Sequence, residues 1–84
     1  MITHVAIRHP DGRIFSLPRP YRHHHIIRVM VDALEIEPPI RGRQGFLDNR
    51  GNFLSRKAAA DLALKTGQCV KLDSPPRLFS EDLW

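Results

Sequence analysis

The sequence has few of the devices that hold small proteins together. Its single cysteine, Cys69, excludes an internal disulfide. A chain of 84 residues buries only about 60% of the surface its unfolded form exposes. Domains of this size usually lean on a disulfide, a metal or a partner copy. With the first excluded, self-association or a metal remains, and the cysteine usage fits a reducing compartment. No apolar run approaches the roughly 18 residues of a membrane span. The first residues have no charged region leading into an apolar one, so no secretion signal is expected. The expectation is one cytoplasmic domain covering residues 1–84.

Catalytic patterns are also missing. There is no glycine-rich phosphate loop of the Walker or Rossmann kind. The Asp and Glu residues are scattered, with no pair spaced for acid–base work. Cys69 has no nucleophile motif around it. The triplet His23-His24-His25 does not have the spacing of a zinc site, because adjacent helical residues point about 100° apart and zinc needs about four converging ligands. Neither a resident metal nor a cofactor is expected, and binding is a better reading than catalysis.

Lysine is scarce while arginine is abundant: ten Arg against three Lys. Lysine is the usual residue for plain solubility. Arginine's planar fork makes paired hydrogen bonds to phosphate or carboxylate and stacks on rings. The charge is uneven as well. Residues 1–60 hold ten Arg/Lys against five Asp/Glu, and residues 61–84 hold three against four. An anionic partner should therefore meet the first sixty residues.

Along the chain, Met1–Ala6 and Arg13–Leu17 alternate around His9-Pro10-Asp11-Gly12, a turn signal, and predict a hairpin. Ile26, Ile27, Met30, Val31 and Leu34 recur at helical spacing and predict a helix over about Arg22–Glu35, stopped by Glu37-Pro38-Pro39. Gln44–Leu47 and Asn52–Leu54 flank Asp48-Asn49-Arg50-Gly51 and predict a second hairpin. Ser55 is the expected N-cap of a helix over Arg56–Thr66, with Gly67 as its C-cap. Val70–Leu72 reads as a short strand. The tail from Leu78 to Trp84 is too apolar to hang free, and reads as part of an interface between copies. The order β-β-α-β-β-α-β gives an α+β domain, a small antiparallel sheet packed by two helices.

The richest stretch for binding runs from Arg41-Gly42-Arg43-Gln44-Gly45-Phe46 to Phe53-Leu54-Ser55-Arg56-Lys57. Arginines here can hold phosphates, and an aromatic ring can stack on a base. Ser55 and the amides of the helix start make a further anion site. Phe53 reads as a hydrophobic staple. Phe46 fits two roles equally, stacking platform or hairpin core. Arg22 and His24, at the start of the first helix, join Arg43, Ser55 and Arg56 as ligand-binding candidates.

Arg22-His23-His24 with Ile26, Gln44-Gly45-Phe46, Gly51, Phe53, Arg56, Ala59, Gly67-Gln68 and the ending Leu78-Phe79-Ser80-Glu81-Asp82-Leu83-Trp84 resemble a group of small phage and prophage proteins. The likeness is to the anti-Thoeris sponges, which capture cyclic ADP-ribose signals. This resemblance implies a protein that binds a host immune signal, a cyclic nucleotide or cyclic ADP-ribose-type molecule, and holds it intact. It implies a homo-oligomer, hexameric in some members. It assigns adenine stacking to Phe46, a polar ligand contact to Ser55 where many members carry Asn or Asp, and a late basic contact to Arg77 or Lys71. The competing reading is a small arginine-rich protein that binds nucleic acid or blocks defence by another route.

Overall fold

The computed structural model describes residues 1–36 and 42–84. Strand β1 (Ile2–Arg8) turns back into β2 (Ile14–Pro18), and helix α1 (His23–Asp32) follows. Strands β3 (Arg43–Asp48) and β4 (Phe53–Ser55) form the second hairpin, and β4 runs directly into α2 (Arg56–Thr66). Among the described residues the antiparallel sheet has four strands in the order β2-β1-β3-β4. The expected α+β class and the β-β-α-β-β-α order are therefore present.

The register explains the core. Val5 pairs with Leu17 on one side and Phe46 on the other, and Phe46 pairs in turn with Leu54. Directly opposed residues share a face of the sheet, so these four side chains form a continuous apolar row. Ile26 and Met30 of α1 and Ala59 and Ala63 of α2 pack in the same cluster. The alanines let α2 lie close to the sheet. Leu62 of α2 is half-buried, while Ala60 is buried.

Local chemistry sets the element ends. The Ser55 hydroxyl accepts from the Ala58 amide, and Gly67 closes α2 in the left-handed conformation at φ 77°, as the sequence predicts. Helix α1 ends three residues before Glu35. Glu35 itself adopts a left-handed φ of 55°, and the Ile36 amide reaches back to the Met30 carbonyl at 2.8 Å, which satisfies one of the carbonyls left without a partner at the helix end. Leu34, expected on the inner face, lies beyond the helix and is exposed. The expected stop at Glu37-Pro38-Pro39, with Arg41, falls outside the described residues.

One expectation needs correction. Val70–Leu72 is not a strand: Val70 is 95% exposed, and the stretch pairs with no strand among the described residues. Its apolar character is spent instead on Leu72, which packs against the core. The tail is docked on its own chain. Leu78 and Ser80 are buried and Ser80–Asp82 form a 3₁₀ turn. Trp84 Nε1 donates to the Tyr21 carbonyl at 2.7 Å, and Arg22 Nε and Nη2 donate to the Trp84 carbonyl at 3.1 and 2.7 Å. These bonds hold the end of the tail against the start of α1. No helix among the described residues is long and apolar enough to cross a membrane.

Candidate functional site

The turn from β4 into α2 brings two basic residues to the wrong end of a helix. The N-terminus of a helix carries a partial positive charge and ordinarily attracts carboxylates. The first turn of α2 has no acidic residue, and it opens with Arg56 and Lys57. These two, with Arg43, Gln44, Ser55 and Arg77, line an open groove of about 380 Å³. Among the described residues, four of the six lining side chains are cationic and none is a carboxylate.

Arg56 is the centre of this groove. Its guanidinium lies over the Phe79 ring, 4.3 Å from the centroid, and Nη2 donates to Gln44 Oε1. Its Nε is covered and has no hydrogen-bond partner among the described residues. Burial lowers the guanidinium pKa from its ordinary value; the Arg77 charge adds to this, and Glu81 opposes it. The tail supplies both neighbours. The Leu78 amide donates to the Arg56 carbonyl at 3.1 Å, which fixes Arg77 on one side of Arg56 and Phe79 beneath it. Such an array of forked donors beside a helix N-terminus suits a phosphate.

Of the residues singled out in the sequence, Arg43, Ser55, Arg56 and Arg77 come together here. Phe46 does not. It is 0% exposed and meets the His23 ring edge-on at 5.1 Å. Its pairing with Val5 on the core face leaves no ring surface for a base, so the stacking role is corrected to a core role. Arg22 is engaged with Trp84, outside the groove. His24 is exposed on α1 and lies against His25, with centroids 4.0 Å apart. Lys71 is exposed in the loop after α2 and does not line the groove.

The histidine triplet divides its work. His23 is buried and its Nε2 bonds the Gly45 carbonyl at 2.7 Å. Burial holds its pKa below the ordinary value, Arg56 pushes the same way, and the Gly45 carbonyl and Glu81 oppose them. The neutral ring with its proton on Nε2 fits this bond. His25 Nδ1 accepts from the Arg22 amide at 2.9 Å and so closes the start of α1. Among the described residues no group of three or more His, Cys, Asp or Glu could hold a metal ion.

Sequence reasoning left Lys57, Gln44 and Phe79 off the list of ligand candidates. For Lys57 a signal was available, since an Arg-Lys pair at the positive end of a helix is unfavourable without an anion. For Phe79 none was, because its place under Arg56 depends on how the tail docks.

A family model described as Phage T4 y16D protein matches residues 1–84. The chain belongs to this phage protein family. No curated protein and no solved structure matches it. For this phage protein, the groove at the start of α2 is the arrangement that most needs a functional explanation.

Proposed function

We propose that this phage protein binds a phosphate-bearing ligand in the groove between Arg43, Arg56 and Arg77 and holds it without chemical change. One observation carries this reading: four cations line the groove at the start of α2, and among the described residues no carboxylate does. Each charge-assisted hydrogen bond to such a ligand contributes about 1.5–3 kcal/mol. The finer reading is capture of a cyclic nucleotide or cyclic ADP-ribose-type immune signal by an anti-defence sponge working in the host cytoplasm as a homo-oligomer. The small size of the chain and the sequence resemblance support it. The burial of Phe46 removes base stacking by that ring from the argument, so affinity in this reading comes from the phosphates.

A nucleic-acid backbone is the second reading, and the openness of the groove favours it. Calorimetry at several salt concentrations separates the two. A polymer binder that displaces many counterions loses affinity steeply with salt, whereas a single small ligand displaces few. Saturable binding of a cyclic dinucleotide, cyclic trinucleotide or cyclic ADP-ribose isomer, with recovery of the intact molecule on denaturation, supports the sponge. Tight, salt-sensitive binding of DNA or RNA alone transfers the function to the second reading. A cleaved ligand overturns capture without chemistry.

A further inference from the structure

The groove beside α2 is not the only cationic cavity at this end of the sheet. A second, of about 390 Å³, is lined by Arg8, His9, Pro10, Gly12, Gly42 and Arg43. Arg43 lines both. The ladder places Arg8 and Arg43 directly opposite each other at the end of the β1–β3 pair. Like charges in that position destabilise a sheet, and both side chains are exposed and able to turn toward a common ligand. Asp11, the acidic residue in the neighbouring turn, does not line the cavity. Its carboxylate accepts from the Arg13 amide at 2.9 Å and from Arg13 Nε at 2.7 Å, and His9 Nδ1 lies 3.0 Å from it.

The backbone around the cavity is shaped for close approach. Gly42 has φ 138°, and a Cβ there would stand 2.4 Å from the Arg8 carbonyl oxygen. Only glycine lets the start of β3 come this near to Arg8. Gly12, with φ 94°, has nothing near its Cβ position, which leaves that wall open.

We propose that Arg8, His9 and Arg43 form a second anion subsite, contiguous with the α2 groove through Arg43. The ligand then carries two phosphate groups, one at Arg8 and Arg43 and the other at Arg56 and Arg77. This rests on the reading of the α2 groove as a phosphate site and specifies the ligand class: a doubly phosphorylated or phosphate-bridged molecule rather than one with a single phosphate. Arg8 is the residue that distinguishes the two classes.

The test uses base-free probes, inorganic orthophosphate and inorganic tripolyphosphate, titrated at matched ionic strength and followed by amide chemical shifts. Wild type should bind tripolyphosphate about tenfold or more tightly than orthophosphate. Arg8→Gln should remove most of that advantage and leave orthophosphate within about twofold. Arg77→Gln should weaken both probes. Arg28→Gln, which removes the same charge from α1, should change neither. In anion-free buffer Arg8→Gln should also melt above wild type, because the opposed charges are gone. If Arg8→Gln leaves tripolyphosphate binding unchanged while Arg77→Gln weakens both probes, the second subsite falls and the α2 groove stands. If neither probe shows binding that depends on Arg77, the groove reading falls and the subsite with it.

Discussion

Arg56 stands on Phe79: its guanidinium carbon lies 4.3 Å from the centre of the ring. This contact joins the first residue of α2 to the docked tail and sets the direction of the groove's central cation. A cation over an aromatic face is worth about 0.5–1 kcal/mol when exposed and about 2 when desolvated. Arg56 is half-buried, so the contact falls between these limits.

Phe79→Leu should therefore lower stability by about 1 kcal/mol and weaken phosphate binding, because the guanidinium loses its platform. Leucine keeps most of the apolar contact and none of the ring quadrupole. The measurements are a thermal melt and a phosphate titration on the same sample. Phosphate affinity unchanged from wild type would show that Arg56 is positioned by Gln44 alone.

Gly45→Ala should destabilise the fold by about 1–3 kcal/mol, the usual range for overpacking. An added Cβ would lie 2.2 Å from the Leu54 carbonyl oxygen and 2.7 Å from Phe53 Cζ. The Phe53 ring could swing aside, but the Leu54 carbonyl belongs to the paired strand and cannot move without opening the β3–β4 ladder. Gly51→Ala is the contrasting variant. Its strain comes from φ 82° alone, with no atom near the Cβ position, and it should cost about 1 kcal/mol. Denaturant melts of the pair should rank Gly45→Ala as the more damaging.

Parts of this architecture were legible in the sequence, namely those whose causes are local. Ser55 caps the helix that follows it, Gly67 ends it, and Asp48-Asn49-Arg50-Gly51 makes a tight connection, each because of chemistry within a few residues. Arg43, Ser55 and Arg56 could be grouped for the same reason, since a hairpin and a helix start bring them together. What could not be read was set by long-range pairing. Whether Phe46 faces the core or a ligand depends on its register against Val5, and on His23 closing over the ring. The tail's place depends on Arg22 and Tyr21 receiving Trp84 at the far end of the chain. Val70–Leu72 failed as a strand because β propensity without a neighbouring edge makes no ladder.

The buried His23 gives the fold a defined pH response. Its folded pKa lies below the ordinary 6.5, chiefly because burial disfavours the charged ring. The unfolded chain therefore takes up the proton first as pH falls. The stability that neutral His23 contributes is complete above the unfolded value of about 6.5, and it is lost as pH drops from there through the folded value. His23→Gln keeps a donor for the Gly45 carbonyl and removes the titration. Between about pH 7.5 and 5 wild type should lose more stability than His23→Gln. Parallel curves for the two proteins would place the acid sensitivity in other groups.

Arg77 should affect stability and binding in opposite directions. It is exposed, it lines the groove, and its charge disfavours the charged form of Arg56. Without a ligand, Arg77→Ala relieves that repulsion and leaves one cation fewer near the positive end of α2, so its Tm should equal or slightly exceed that of wild type. With a phosphate ligand, the same residue supplies charge-assisted bonds worth about 1.5–3 kcal/mol, and its loss should weaken binding about tenfold or more. A residue held only for solubility would show neither effect, and one held for packing would lower Tm. Melts with and without phosphate should cross: the variant is at least as stable as wild type in anion-free buffer and less stable when phosphate saturates the wild-type groove, because ligand binding adds stability in proportion to RT ln(1 + [L]/Kd). If Arg77→Ala melts well below wild type in both buffers, Arg77 serves the packing of the tail, and the groove loses one of its phosphate ligands.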